Sequence, residues 1–517
     1  MSDLSKIIAE LTPEQLEILR MQLGKLGAQV EDPSRAPIKR QSRESNAFAL
    51  SFGQHRLWFI EQLRPGNLAY NISSAVRLSG RLDPLALERA LDEVVRRHEA
   101  LRTTFATRDN LPVQIVMPHQ KLNMEVLDLE GVDREAYEAE AKRLALAEAR
   151  RPFDLATGPL FRVVLLRFGE AEHIMLRSTH HIVFDHLSQE IFVYELVTLY
   201  RAFVAGKPSP LPEPPIQYAD YAVWQREWLQ GEVLDKQLDY WKQKLSGAPR
   251  ELPLPFDRPR PRVQSFHGAH HSFEIPEELA ARLETLARKE NATLFITLLA
   301  AFKLLLYKHT GQEDLVIGTT LSGRHRAEFE NLIGFFANTL VLRTDVSGDP
   351  TFGELINRVR EVLLGAEAHQ FVPFEKIVEE LQIERDVSRQ TLFQVLFNLQ
   401  TMRDGALQLP GLEISLIETS DSASKFDLTI FLTRTPRGIS GTFVYNTDLF
   451  NASTVAQMVQ DYCALLRLGA ARVEGRMREL LQSLAEEHQR QDATERVELK
   501  KSNLERLKNI RRKPTLS

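Results

Sequence analysis

The 517-residue sequence predicts a mixed α/β fold arranged as two lobes. Strand-like and helix-like segments alternate through most of the chain. The alternation is interrupted near the middle by a proline-rich connector, GKPSPLPEPP at 206–215, and by a second irregular run, LPLPFDRPRPR at 252–262. The simplest division therefore has two lobes joined around 216–262.

The first half supplies two predicted helices and three predicted strands. Apolar residues recur at helical spacing in the two helices, and runs of β-branched and other apolar residues mark the strands. The strands are predicted at Ala69–Leu78, Leu160–Phe168 and His173–Thr179, and the helices at Asp83–His98 and Leu187–Ala205.

The second half repeats the alternation. Its most apolar helix, Thr293–His309, contains Lys303 and is too short to span a membrane, so it is predicted to be a buried core helix. The other helices are predicted at Pro276–Lys289 and Ala452–Leu468, and the strands at Asp314–Thr320, Thr339–Thr344, Gly411–Glu418, Phe426–Thr433 and Gly438–Tyr445.

Polar or helical flanks surround this body. The predicted organisation is a helical segment at 1–28, a polar linker at 29–46, an N-terminal lobe at 47–225, a C-terminal lobe at 226–482 and a polar, basic tail or linker at 483–517.

Composition narrows the class of protein. The chain has 65 basic and 70 acidic residues and a formal net charge of −5, which does not suggest a nucleic-acid or membrane-surface protein. Its one cysteine, Cys463, excludes an intramolecular disulfide and a cysteine metal cluster. No secretory signal is visible at the N-terminus, so a cytoplasmic location is expected.

The segment HIMLRSTHHIVFDHLSQEIF carries the most chemistry. His180 and His181 end a predicted strand and Asp185 precedes a helix, where a carboxylate is favoured. Neighbouring residues of a strand point in opposite directions, so one imidazole can face a cleft and take a proton. The three side chains can also be interpreted as metal ligands or as ordinary core groups. A second pair, His270 and His271, has no aspartate at the matching spacing.

Seven segments in order resemble the condensation domains of nonribosomal peptide synthetases, whose signature is HHxxxDG. The resemblance covers about residues 48–480. The segments are FALSFGQHRLWFIEQL at 48–63, RRHEALRTTF at 96–105, HHIVFD at 180–185, YADYAVWQREWL at 218–229, IGFFANTLVLR at 333–343, VPFEKIVEEL at 372–381 and SRQTLFQVLFNLQ at 388–400.

The resemblance implies two lobes like chloramphenicol acetyltransferase, arranged in a V around a central tunnel. Phosphopantetheine arms of an upstream donor and a downstream acceptor carrier protein would enter from opposite faces. No cofactor is expected to bind the domain directly, and no metal. The acceptor amine would attack the donor thioester to form an amide, and much of the acceleration would come from positioning the two substrates. Biosynthesis of antibiotics and other secondary metabolites is the expected setting.

The resemblance also assigns roles to single residues. His181 is the expected catalytic histidine, as general base or as the group that orients the amine, beside His180. Asp185 is then structural, and Arg324 is its candidate partner, although a surface position for Arg324 is the alternative. Asn398 is a weaker candidate for polarising the reacting centre, and an ordinary amide within a strand is the alternative.

One residue departs from the family signature. His186 stands where the motif has glycine, which would leave space beside the catalytic histidine. An imidazole there could narrow the tunnel, add a titrating group or remove condensation activity. This opens a second hypothesis, a non-catalytic platform that presents a carrier-bound amino acid to a tailoring enzyme bound or fused at the C-terminus.

Other members of the superfamily fit less well. Cyclising relatives replace the motif histidines with aspartates, whereas His180 and His181 are intact. The later segments resemble peptide-forming more than epimerising members, and ester formation stays open. Residues 1–28 are interpreted either as a docking element for an upstream synthetase or as the end of a linker.

Overall fold

Two large β-sheets, each covered by helices, form the two lobes of the chain. The computed structural model describes residues 38–131, 134–383, 386–401, 409, 411–417 and 422–490. The predicted segment 1–28, the start of the 29–46 linker and residues 491–517 of the predicted tail lie outside the described residues. Within these ranges no single helix is long and apolar enough to cross a membrane, and one pair of helices, bent by 102°, passes that test only when joined.

The first half of the chain contains seven strands and five α-helices among its described residues. They are β1 Ala47–Ala49, α1 Phe52–Leu63, β2 Asn71–Gly80, α2 Pro84–Arg97, β3 Thr103–Arg108, β4 Leu111–Val116, β5 Glu125–Asp128, α3 Arg134–Ala149, β6 Phe161–Arg167, β7 Glu172–His180, α4 His186–Val204 and α5 Tyr218–Trp228.

In the second half, residues 477–490 are helical. The described part of the second half also contains eight further strands and six further α-helices. They are α6 Gly231–Leu245, β8 His267–Pro276, α7 Glu277–Lys289, α8 Leu294–Thr310, β9 Asp314–Leu321, β10 Asn338–Asp345, α9 Phe352–Ala368, α10 Phe374–Glu380, β11 Val395–Thr401, β12 Leu412–Ile417, β13 Ser422–Ala423, β14 Leu428–Thr435, β15 Gly438–Asn446 and α11 Ala452–Ala471.

Each half has its own sheet. The N-terminal sheet has the order β12-β2-β7-β6-β5, and a separate small sheet in the same half has the order β1-β4-β3. The C-terminal sheet has seven strands in the order β10-β9-β11-β14-β15-β8-β13. The predicted mixed α/β fold with two lobes is confirmed.

Helix starts follow from local sequence. The side chain of Asp83 accepts hydrogen bonds from two amides of the first turn of α2, and Pro84 occupies a position that needs no amide donor. Thr351 and Glu354 form a capping box at the start of α9. The apolar helix α8 ends at Gly311, whose φ of 65° is the left-handed conformation common after helices. Lys303 of α8 is fully buried.

The two halves are interlocked. Strand β12 comes from the second half, yet it pairs antiparallel with β2 at the edge of the N-terminal sheet. Phe329, Leu332, Ile333, Phe335 and Phe336, also from the second half, are buried in the core of the N-terminal lobe. Because these segments cross over, residues of the second half contact the histidine motif directly.

Candidate active site

A cavity of about 1050 Å³ lies between the two halves of the chain and contains the histidine motif in its wall. The first half contributes His181, Asp185 and Tyr221 to this wall, and the second half contributes Phe335 and Asn398. A cavity of this size lies at the upper end of the range of about 300–1,000 Å³ that is common for small-molecule and cofactor sites.

His181 faces this cavity at the end of β7. It begins a short 3-10 turn, His181–Val183, and its Nδ1 lies 2.7 Å from the carbonyl oxygen of Phe184. A carbonyl oxygen only accepts, so Nδ1 carries the proton and the other ring nitrogen, Nε2, keeps its lone pair. The ring packs edge-on against Phe335 at a centroid distance of 4.8 Å. This geometry holds the imidazole in one tautomer.

The electrostatic surroundings keep His181 neutral. Burial and then the nearby charge of Lys425 lower the pKa of His181 to about 4, despite the opposing influence of the Phe184 carbonyl and Asp185. An imidazole with that pKa is uncharged at neutral pH and can accept a proton or a hydrogen bond.

His180, the last residue of β7, is not among the residues that line the cavity. It is 2 % exposed, and its Nδ1 accepts a hydrogen bond from the amide of Ile182 at 3.2 Å. Burial lowers the pKa of His180 to about 3, and the neighbouring His181 and Lys425 act in the same direction. His180 is therefore a neutral cap of the turn that carries His181, and it does not line the cavity.

Asp185 and Arg324 form a buried, two-pronged ion pair between the halves. Arg324 Nη1 lies 2.8 Å from Asp185 Oδ2 and Nη2 lies 3.0 Å from Oδ1. Burial alone would raise the pKa of the Asp185 carboxyl, but the charge and hydrogen bonds of Arg324 outweigh it, so the pKa is lowered. The structure thus brings together the two residues that the sequence paired.

Further donors complete the surroundings of Asp185. Its carboxylate accepts hydrogen bonds from the amide of Ser188 at 2.8 Å, from the Ser188 hydroxyl at 2.8 Å and from the amide of Phe336 at 3.0 Å. The Ser188 bonds cap helix α4. Neither Ser188 nor Phe336 is predicted from the sequence, although the spacing of three residues between Asp185 and Ser188 is typical of a helix cap.

Gly323 allows Arg324 to reach Asp185. Its φ is +65°, and a Cβ placed on it would lie 2.0 Å from the carbonyl oxygen of Phe336. Both the backbone conformation and the close approach of the 336 segment therefore require glycine.

His186, the departure from the family signature, is the first residue of helix α4. It is absent from the described residues that have positive φ, so the backbone does not require glycine there. Its side chain is 56 % exposed, and Nε2 lies 3.9 Å from Glu190 Oε1. His186 lines the cavity without filling it, since about 1050 Å³ stays open with the imidazole in place.

Asn398 lines the cavity from β11. Strands β9 and β11 pair at Leu396 and Gly318. Two residues further along both strands, the amide of Thr320 bonds to the side chain of Asn398 and not to the backbone of β11. Asn398 Oδ1 accepts hydrogen bonds from the Thr320 amide at 2.9 Å and from the Thr320 hydroxyl at 2.8 Å. The amide therefore joins two strands that separate beside the cavity.

Two tryptophans also line the cavity. Trp224 and Trp228 stack with a centroid distance of 5.3 Å and an interplanar angle of 3°. The second histidine pair lies elsewhere: His270 and His271 pair with Val444 and Phe443 in the register of β8 with β15.

His180, His181 and Asp185 each hydrogen-bond to a different group. Within the ranges that the structure covers, no group of three histidine, cysteine, aspartate or glutamate side chains is placed to hold a metal ion.

The condensation-domain family model matches residues 44–492. Among similar proteins, a linear gramicidin synthase polypeptide from Brevibacillus parabrevis is 50 % identical over 419 residues, which are 81 % of this chain and 5 % of that protein. Chondramide synthase from Chondromyces crocatus is 45 % identical over 414 residues, which are 80 % of this chain and 11 % of that protein. The chain thus spans a small part of each of these relatives.

Solved structures agree with the sequence match. The X-domain in its complex with OxyB from teicoplanin biosynthesis is 31 % identical, with a TM-score of 0.77, over 86 % of this chain and 98 % of that chain. The first condensation domain of the CDA synthetase, 24 % identical, matches with a TM-score of 0.70 over 83 % of this chain and 98 % of that chain. The predicted two-lobed fold is confirmed, and the chain belongs to the condensation-domain family of nonribosomal peptide synthetases.

Proposed function

We propose that the chain forms an amide bond between a donor acyl or peptidyl thioester and an acceptor aminoacyl thioester, with His181 as the catalytic residue. The observation that carries the proposal is the orientation of His181: Nδ1 is bound to the Phe184 carbonyl, so the lone pair of Nε2 is available to the cavity. Similarity to the linear gramicidin synthase polypeptide supports amide formation as the reaction.

The reaction moves one proton from the acceptor nitrogen to the released sulfur. The acceptor nitrogen attacks the thioester carbon, which forms a C–N bond and places negative charge on the carbonyl oxygen. Collapse breaks the C–S bond and releases the donor thiol, while the excess proton passes from the nitrogen through Nε2 to the sulfur. A pKa of about 4 makes His181 a weak base for a neutral amine, so it orients the amine and accepts the proton once attack has made the nitrogen acidic.

The supporting residues have structural roles in this proposal. Asp185 and Arg324 hold the start of α4 against the second half of the chain, and His180 caps the turn before it. The Oδ1 atom of Asn398 is bound to Thr320, so any polarising contact with substrate would come from its Nδ2 group.

The proposed substrates are tethered to partner proteins. Phosphopantetheine arms of an upstream donor and a downstream acceptor carrier protein would enter the cavity, whose walls carry the apolar side chains of both halves. With a net charge of −5, the chain is not strongly basic. Binding of such partners would require only local patches of complementary charge. Docking by residues 1–28 stays a prediction, and transfer from the upstream carrier after their deletion tests it.

The test is a single-turnover reaction with loaded donor and acceptor carrier proteins, followed by mass spectrometry of the acceptor arm. We expect His181→Ala to slow amide formation by about 100-fold or more, the range for loss of acid–base assistance. His271→Ala is the matched control, because it alters the second histidine pair on β8, and should leave the rate unchanged. Equal rates for the wild type and His181→Ala would overturn the catalytic proposal.

A second candidate function is a non-catalytic platform that presents a carrier-bound amino acid to a tailoring enzyme. Its support is the similarity to the X-domain of the teicoplanin complex with OxyB, together with His186 in the motif. The same assay separates the two functions: a platform gives no amide product with any loaded pair and binds a tailoring enzyme, whereas a condensation domain gives product. Ester formation is tested by replacing the acceptor amine with a hydroxyl.

A further inference from the structure

Tyr218 is the first residue of α5, and the reaction proposed above does not use its side chain. The residue is 1 % exposed, and its hydroxyl oxygen lies 2.6 Å from the carbonyl oxygen of Phe335 and 2.8 Å from the hydroxyl oxygen of Ser51. Ser51 caps the start of α1. The Tyr218 hydroxyl therefore joins the start of α1 to the segment of the second half that contains Phe335.

The direction of each hydrogen bond in this chain follows from the groups involved. The Phe335 carbonyl can only accept, so the single proton of the Tyr218 hydroxyl is donated to it. The Tyr218 oxygen then accepts the proton of the Ser51 hydroxyl, and Ser51 Oγ in turn accepts from the amide of Gln54 at 3.1 Å. Burial raises the pKa of Tyr218 well above its ordinary value, so the hydroxyl keeps its proton. The hydrogen bonds thus have one consistent arrangement.

Packing holds Phe335 from two further sides. A Cβ placed on Gly334 would lie 2.0 Å from Cδ2 of Tyr218, so the backbone before Phe335 lies directly against the tyrosine ring. A Cβ placed on Gly53 of α1 would lie 2.9 Å from Cε1 of Phe335, so the helix backbone closely approaches the phenylalanine ring. Tyr218 therefore holds the backbone of Phe335, and α1 confines its ring.

The Phe335 ring is in contact with His181. The two rings meet edge-on at a centroid distance of 4.8 Å, and both line the cavity. The hydrogen bond from His181 Nδ1 to the Phe184 carbonyl fixes one atom of the imidazole but still lets the ring tilt about that bond. A neighbouring ring packed against the imidazole limits this tilt. The direction of the Nε2 lone pair therefore depends on the position of Phe335.

We propose that Tyr218 is a positioning residue whose hydrogen bond to the Phe335 carbonyl places the Phe335 ring and, through it, directs Nε2 of His181 towards the acceptor nitrogen. This inference rests on the proposed function, in which His181 orients the amine. Tyr218 itself does not line the cavity, so its influence passes through Phe335.

The first test is Tyr218→Phe, which removes only the hydroxyl, in the single-turnover reaction with loaded carrier proteins. We expect the rate of amide formation to fall by about 10-fold, because a misplacement of about 1 Å can slow a reaction by up to about 100-fold. A wild-type rate in folded Tyr218→Phe overturns the inference.

Tyr462→Phe is the matched control. Tyr462 is also buried, and its hydroxyl donates to a backbone carbonyl, that of Leu298, at 3.1 Å in the core of the C-terminal lobe. Each variant loses one buried hydrogen bond, so the two should lose comparable stability in urea denaturation. Only Tyr218→Phe should lose rate. Equal losses of rate in the two variants would show an effect of stability alone and overturn the inference.

Nuclear magnetic resonance separates positioning from stability. In protein that carries isotope-labelled histidine, the ring signals of His181 are identified by their absence in His181→Ala. The ring current of Phe335 affects these signals, so they should move in Tyr218→Phe and stay in place in Tyr462→Phe. Unchanged His181 signals in folded Tyr218→Phe overturn the inference.

The same variants distinguish this inference from the proposed function. If His181→Ala forms amide at the wild-type rate, the proposed function fails, and the role of Tyr218 in it fails as well. If His181→Ala is inactive and Tyr218→Phe has the wild-type rate, only the role of Tyr218 fails. If Tyr218→Phe does not fold, Ser51→Ala takes its place, because it removes the donor to the Tyr218 oxygen. A wild-type rate and unchanged His181 signals in folded Ser51→Ala then overturn the inference.

Discussion

Replacing Arg324 by methionine tests whether the ion pair with Asp185 holds the two halves of the active site together. Both side chains are 2 % exposed, and two hydrogen bonds of 2.8 and 3.0 Å join them. The Arg324→Met variant leaves the Asp185 carboxylate buried without its cation, and it also removes the hydrogen bond from Nη2 to the Leu332 carbonyl at 2.9 Å.

The expected loss of unfolding free energy is large, because an isolated buried charge is left behind. Loss of one partner of a buried ion pair typically destabilises a protein by about 3–5 kcal/mol. Arg324→Lys keeps a charge but cannot form the two-pronged contact, so an intermediate loss is expected. Urea denaturation of the wild type and the variants measures the free energy of unfolding.

The pH dependence gives a second, independent signature. The folded-state pKa of Asp185 is lowered, so the pair stabilises the fold above the unfolded value of about 4, and the contribution is lost as the pH falls through the folded-state pKa. In Arg324→Met, burial without the cation raises that pKa instead. The difference in unfolding free energy between the wild type and the variant should therefore shrink as the pH falls from neutral towards about 4.

A matched surface substitution is the control. Arg467 pairs with Glu487 at 2.7 Å, but its side chain is 57 % exposed, so Arg467→Met should cost less than about 1 kcal/mol. A loss for Arg324→Met no larger than for Arg467→Met, or a difference that does not vary with pH, would refute the argument.

Two further predictions concern the cavity wall. His186→Gly should keep the condensation rate within about threefold of the wild type, which is about 0.6 kcal/mol in activation free energy. The reason is that the exposed imidazole already leaves the cavity open. A much larger change of the rate in single turnover would contradict this. Asn398→Ala should lower the free energy of unfolding by about 1–3 kcal/mol, because the Thr320 amide loses its acceptor. Denaturation measures this loss, and a loss as small as that of a surface substitution would show that the strands do not depend on Asn398.

Much of the fold could be predicted because its elements have strong local signals. The helix predicted at Asp83–His98 is Pro84–Arg97, and the strand predicted at His173–Thr179 is Glu172–His180. Both have long periodic patterns, and a capping aspartate marks the helix start. Strand β8 is not predicted, because its segment His-Gly-Ala-His-His has few large apolar residues.

The pairing of strands could not be predicted in this way, because no local sequence signal specifies which strands pair. The strand predicted at Gly411–Glu418 exists as β12, but nothing local indicates that it leaves its own half to pair with β2. Similarly, segment IGFFANTLVLR is a family feature in the sequence, whereas the hydrogen bond from the Phe336 amide to Asp185 depends on the close approach of two segments 151 residues apart.

The sequence established the α/β class, the family resemblance and the histidines of the site, because these depend on periodicity and on an ordered series of short motifs. Tertiary structure alone decided which histidine faces the cavity and how Arg324 reaches Asp185. It also showed that His186 leaves the cavity open. The physical reason is that tautomer, ion pairing and local charge depend on side chains brought together from distant parts of the chain, and no local pattern encodes those distances.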